Sequence, residues 1–188
     1  MPSPQVLEKL LKGCVSAVLF CIAMLGAAHG QGVELSTLQL KRQEGQLTLD
    51  FVAQVSLTRA VEDALQRGVP VYFVAHAEVF RPRWYWRDLS VAHVARSWRL
   101  VYQPLTSTWR VSLGGLNQSY PNLAEALAAV SRASGWRLAE LAALEGDKGG
   151  YVEFSYRLDT SQLPSPMQIG LGGPAGWTLA IERTLRLE

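Results

Sequence analysis

Both cysteines of the chain, Cys14 and Cys21, lie within its first thirty residues, inside an apolar run. Whatever residues 31–188 fold into must therefore hold together without a disulfide, on core packing alone. The run reads as the middle of a three-part export signal. Lys9 and Lys12 form a positive start, Cys14 to Leu25 is apolar apart from Ser16, and Gly26, Ala27, Ala28 and Gly30 supply small residues. Ala28-His29-Gly30 fits a small-x-small cleavage site, which places the mature start at Gln31. The apolar stretch is roughly a dozen residues, short of the ~20 that span a bilayer as a helix. The other reading is an uncleaved anchor, with Ala23 to Ala28 extending the stretch. Phe20 before Cys21 argues against a lipid-attachment site, which wants a small residue there. The expectation is a periplasmic protein with a signal peptide over 1–30 and one domain over 31–188, tethered to the inner membrane if the signal stays uncut.

A domain of that length buries roughly 68–70% of its unfolded surface. Beyond Gly30 the basic and acidic side chains nearly balance, at 16 and 15. This, with export, argues against nucleic acid as a partner. Only Lys41 and Lys148 are lysines there, and the other 14 bases are arginines, which suit planar and aromatic contacts.

Alternation is the main structural signal. Leu47, Leu49, Phe51, Ala53 and Val55 alternate with mostly polar neighbours, and with Val33 to Leu40 across the Glu44-Gly45 turn they predict a hairpin. Ser56 or Thr58 caps a short helix through Arg67, ended by Gly68 and Pro70. Val69 to Phe80 is apolar on both faces as far as Ala75, which predicts a central strand, and Arg81-Pro82 marks its break or an edge. Val91 to Tyr102 and Thr108 to Leu113 are strands, the second closed by Gly114-Gly115. Ser119 to Arg132 reads as helix, with Asn122 and Glu125 as a capping box, and Leu138 to Leu144 adds a turn or two. Tyr151 to Leu158 is a strand, Leu163-Pro164-Ser165-Pro166 an extended edge or loop, and Trp177 to Leu187 a last strand. About eight strands and two short helices, joined by hairpin-length turns, predict a mainly β, antiparallel sandwich or open barrel with helices at an edge or end.

Three stretches carry a family likeness: Ala64 to Phe73 with Arg81-Pro82-Arg83-Trp84-Tyr85-Trp86; Arg99 to Tyr102 with Leu105-Thr106 and Trp109-Arg110-Val111; and Leu158-Asp159 with Leu163 to Gln168. With the export signal, the chain resembles the bacterial DUF4390 family over nearly all of its mature length. The resemblance implies an exported protein of Gram-negative bacteria with no assigned activity. Genes of this kind often lie beside those of an NtrY-type sensor histidine kinase, so the resemblance also implies envelope sensing. It transfers no catalytic residue.

The sharpest local feature is Arg81, Arg83 and Arg87 interleaved with Trp84, Tyr85 and Trp86. On a strand, Trp84 and Trp86 would share one face and Arg83, Tyr85 and Arg87 the other. Either the tryptophans cover the core with arginines extended over it, or Arg83–Arg87 forms a binding surface of the residue types enriched at hot spots. His76 and Glu78 point the same way on one strand, and His93 follows, but neither a paired-histidine spacing nor a third ligand completes a zinc site. There is no Gly-x-Ser-x-Gly elbow for a serine nucleophile. Gly170 to Ala175 matches a dinucleotide-loop pattern formally, yet it leads into a strand where that motif needs a helix. The reading is a non-catalytic envelope module that binds a partner protein or ligand, without cofactor or metal. A membrane-contacting structural protein, touching the bilayer through its N-terminus, is the alternative, and a hydrolase using His76 or His93 comes third.

Overall fold

The computed structural model describes residues 32–85, 87–144, 149–162 and 178–187. The N-terminal run read as an export signal, Trp86, the Leu163–Pro166 stretch and the Gly170–Gly176 stretch lie outside the described residues. Among the described residues nine strands and two helices follow in order: β1 (Gly32–Gln43), β2 (Gln46–Ser56), α1 (Arg59–Gln66), β3 (Val71–Arg81), β4 (Leu89–Gln103), β5 (Thr108–Leu113), β6 (Leu116–Tyr120), α2 (Leu123–Val130), β7 (Arg132–Glu140), β8 (Tyr151–Asp159) and β9 (Ala180–Arg186), with a 3-10 turn at Leu141–Leu144. They form two antiparallel sheets, one ordered β1-β2-β7 and the other β6-β5-β4-β3-β8-β9. The architecture is the expected mainly β sandwich, with no closed barrel among the described residues.

Local chemistry explains most boundaries. Glu44 (φ +51°) and Gly45 (φ +74°) are both left-handed and join Gln43 to Gln46, a two-residue hairpin turn whose twist matches the strands it links. The Thr58 hydroxyl accepts from the Val61 N–H at 3.4 Å and starts α1. Gly68, at φ +80°, ends that helix: its N–H reaches the Leu65 carbonyl and the Val69 N–H reaches that of Ala64, a left-handed cap that a side chain at position 68 would strain. Asn122 caps α2 by accepting from the Glu125 N–H at 2.9 Å, while its own amide donates to the Glu125 carboxylate at 2.6 Å. The strand read as central, β3, lies inside the larger sheet with β4 and β8 on its two sides.

Two expectations fail in the middle of the chain. Gly114 and Gly115, both with positive φ, close a second tight hairpin, and the chain returns as β6 beside β5 before α2 begins. The helix expected over Ser119–Arg132 is thus confined to Leu123–Val130. Arg132–Glu140, read as a helix end, a break and another helical turn, is strand β7. Its pairing with β2 shifts register twice, between Leu47 and Thr48 and between Leu49 and Phe51. Gly135 sits at the second shift with φ +58°. Each such shift reverses the side on which the following residues fall, so the buried Trp136 and Leu138 do not alternate simply with Ala133.

The sheets meet through Phe51 on β2. Its ring lies 5.0 Å from Phe154, 5.7 Å from Tyr156, 6.1 Å from Trp98 and 6.4 Å from Trp136, centroid to centroid. Tyr156 is fully buried, and its hydroxyl donates to the Val130 carbonyl at 3.1 Å. Burial pushes the Tyr156 hydroxyl's pKa well above its ordinary value. Strands in one sheet lie about 4.8 Å apart, so three span roughly 10 Å and six roughly 24 Å. The smaller sheet cannot cover the larger. Phe51→Ala should cost about 3–5 kcal/mol in denaturant unfolding, the range for deleting a fully packed aromatic; a loss under about 1 kcal/mol would show that the sheets are joined elsewhere.

Candidate functional site

Three places on the fold gather chemistry, and the first is the tip of the β3–β4 hairpin. Pairing stops at Arg81 opposite Leu89, leaving residues 82–88 as the loop between them. Trp84 and Tyr85 are therefore not on a strand. Trp84 is 94% exposed and Tyr85 65%, and their rings meet edge to face at 5.1 Å. This corrects the alternating-face geometry expected of Arg83, Trp84, Tyr85 and Arg87, and it removes Trp84 from the core. Pro82 can donate no ladder hydrogen bond, which is why the strand ends there despite the aromatics that follow. Asp88 holds the loop's base by accepting from the Arg83 N–H at 3.4 Å and from the Tyr151 hydroxyl at 2.8 Å. Tyr151 in turn stacks on Phe80 at 5.0 Å. The hydrogen bond to Asp88, reinforced by burial and nearby carboxylates, pushes the Tyr151 hydroxyl up to about 12.

The second place is the outer face of the larger sheet. Register puts Glu78 opposite both His93 on β4 and Glu153 on β8, and His76 opposite Ser155. The His76 and His93 rings are 5.7 Å apart, and His93 Nδ1 is 3.9 Å from Glu78 Oε2. The other Glu78 oxygen accepts from the Ser90 hydroxyl at 2.6 Å. These residues border an open depression of about 450 Å³, with Glu182 and Thr184 of β9 on its far side. The two histidines and a carboxylate are thus brought together, as a hydrolase would need. The nucleophile is not: among the described residues no hydrogen bond joins Ser155 to His76, and general-base catalysis needs contact at about 2.6–3.2 Å. Among the described residues no three His, Cys, Asp or Glu side chains are placed to hold a metal ion. Burial lowers the pKa of His76, with help from Arg157 and His93 and against the pull of Asp159.

The third place went unnoticed in the sequence. It is a cleft of about 530 Å³ walled by Thr37, Gln39, Asp50, Phe51 and Val52 on one side and by Arg96, Trp98, Val111, Leu113, Leu116, Gln118 and Tyr120 on the other, closed by Ala129 and residues 132–134. It opens at the β5–β6 end, where the larger sheet outruns the smaller. Asp50 accepts from the Gly135 N–H at 2.6 Å and from the Ser134 hydroxyl at 3.3 Å, and it pairs with Lys41. The Lys41 hydrogen bond, then that from Gly135, holds its carboxyl below the usual carboxylate range. Arg96 stands opposite the buried Ala75, in the inward row that also holds Val94, Trp98 and Leu100. Its guanidinium lies 5.2 Å from the centre of the Trp136 ring. This is the arginine–indole contact seen among the described residues, and it lies within the sandwich, away from the run at 81–87 where the sequence suggested such pairs. The readable signal was one arginine in the apolar row of an alternating strand.

Two measurements follow from these geometries. Asp88→Ala should bring the Tyr151 hydroxyl back toward about 10, the ordinary tyrosine value, as read by tyrosinate absorbance in a base titration; an unchanged high-pH component would refute the Asp88 contact. His76 has a folded pKa below its unfolded value of about 6.5, so the unfolded chain takes up the proton first as pH falls. Its contribution to stability is full above that value and is lost as pH drops through the folded pKa. NMR titration should show the His76 ring titrating below about 6.5, and Arg157→Gln should move it upward. A midpoint at or above 6.5 in the native chain would contradict the burial argument.

No helix among the described residues is long and apolar enough to cross a membrane. No curated protein and no solved structure matches the chain. A family model does: the domain of unknown function DUF4390 matches residues 30–186, nearly the whole sandwich with its exposed hairpin tip and its cleft, and the chain belongs to that family.

Proposed function

We propose that this protein is an exported envelope module that binds a partner protein without catalysing a reaction, and that the hairpin tip is the contact surface. The observation that carries the reading is the exposure of Trp84 and Tyr85, side by side on a loop whose base is pinned by Asp88. Large aromatic side chains flanked by Arg83 and Arg87 are the residue types that dominate interface energetics. A loop held on two hydrogen-bonded strands loses little conformational freedom when it binds. The N-terminal run supports export, and the family resemblance points to a membrane sensor kinase as the kind of partner. The same exposed pair would also suit a lipid interface, where amphipathic rings are favoured, and this is the second reading.

A photo-cross-linking residue at Tyr85, tested in living cells against one at Leu105, separates the two. Leu105 is fully exposed on the β4–β5 turn, and β4's 15 residues put it roughly 50 Å along the strand from the tip. The tip should capture one envelope or inner-membrane protein that Leu105 does not, and Trp84→Ala should reduce that capture several-fold with the fold intact. Equal capture from both positions would refute the surface. Lipid adducts alone would favour the membrane reading.

A further inference from the structure

The cleft at the open end of the sandwich has an unusual charge arrangement for its position. Arg96 occupies an inward-facing site where the alternation of β4 calls for an apolar side chain. Departures of this kind from local patterning concentrate at functional sites. Burial lowers its pKa, a sign that the guanidinium has left bulk water. Contact with the Trp136 ring face satisfies its charge in part but uses none of its N–H donors. Asp50, the one carboxylate that lines the cleft among the described residues, is already engaged by Lys41, Ser134 and the Gly135 N–H. Arg132 adds a second positive charge to the wall, and among the described residues neither arginine has a carboxylate partner. Thr37, Gln39, Gln118 and Ser134 add neutral polar groups; the rest of the lining is aliphatic or aromatic, and two of its members are left open to solvent: Leu116 at 75% and Val52 at 40% exposure. The volume, about 530 Å³, falls within the range of roughly 300–1,000 Å³ typical of small-molecule sites.

We propose that this cleft binds a single-chain amphiphile with an anionic head group, the head paired with Arg96 and the apolar chain lying against Val52, Leu113 and Leu116. Guanidinium is the side chain suited to a carboxylate or phosphate oxygen pair, and such a head would occupy the donors that Trp136 leaves open. The inference does not depend on the hairpin tip, because none of the described residues among 82–88 lines the cleft.

Isothermal titration of the full chain with dodecanoate and dodecyl phosphate, below their micelle concentrations, tests it. At least one should bind at one site per chain. 1-Dodecanol and dodecyltrimethylammonium should bind at least tenfold more weakly. Dodecanoate the tighter ligand indicates a free fatty acid, and dodecyl phosphate the tighter indicates a phospholipid head. Arg96→Met, which keeps an unbranched apolar stem, should weaken the anion at least tenfold, with thermal unfolding as the check on the fold. Leu116→Glu, at an exposed position that does not threaten folding, should weaken it comparably. Equal affinity for anionic, neutral and cationic chains, or unchanged affinity in a folded Leu116→Glu chain, would overturn the proposal.

Discussion

The packing of Phe51 against four other rings is the contact on which the rest of the sandwich depends. Residues 31–188 contain no cysteine, so nothing covalent ties one sheet to the other. Phe51 does it by burial, touching β4 through Trp98 and β8 through Phe154 and Tyr156, with Trp136 of β7, in its own sheet, packed beside it. Tyr156 extends the cluster into a hydrogen bond with Val130, the last residue of α2. The chain then turns into β7, which brings Trp136 back to the ring it started from. A closed circuit of contacts thus sets where α2 ends and where β7 begins. Tilted and edge-to-face rings suit that role, since such pairs add about 0.5–1.5 kcal/mol beyond their area and fix relative orientation.

The same circuit explains why the sandwich is left open on one side. With three strands against six, Phe51 centres the smaller sheet over β4, β3 and β8, and the β5–β6 hairpin projects past it. α2 packs against part of that projection, and the remainder is the cleft. An arginine at position 96 is tolerable only at this margin. Deeper in the core, an unpaired guanidinium would cost several kcal/mol; here it reaches both the Trp136 ring and the solvent-connected cleft.

Most of what could be read in the sequence was local. The Glu44-Gly45 turn, the Thr58 and Asn122 caps, the Gly68 stop and the alternation of Leu47 to Val55 each need only a few neighbouring residues to be recognised, and each is where it was expected. β6 and β7 depend on partners. Leu116-Asn-Gln-Ser-Tyr120 is mostly polar, and only its pairing with β5 makes it a strand. β7 changes register twice against β2, so its burial pattern has no meaning until β2 is laid beside it. The candidate sites divide in the same way. The residue types at 83–87 stood out in the sequence, but the exposure of Trp84, Tyr85 and Arg87 follows from where the β3–β4 ladder stops. His76, Glu78 and His93 were individually visible; their meeting is a matter of cross-strand register, and so is the inward position of Arg96.

Register also decides how the outer histidine face should be understood. Glu78 and Glu153 are directly opposed, a like-charged cross-strand pair that is unfavourable by itself. The Ser90 hydroxyl, on the other side of Glu78, donates to it at 2.6 Å and offsets part of that repulsion, and His93 Nδ1 stands 3.9 Å from the other carboxylate oxygen. On β3, His76 faces Ser155, and Arg157 disfavours its protonation. Both histidines thus have cross-strand neighbours within a polar sheet face before any substrate is invoked. Catalysis would require a nucleophile in contact with one of them, whereas balancing charge across three strands requires only the register that is present. No such charge balance accounts for the exposed aromatics of the tip or for the inward Arg96, and this difference is what motivates the proposed binding role.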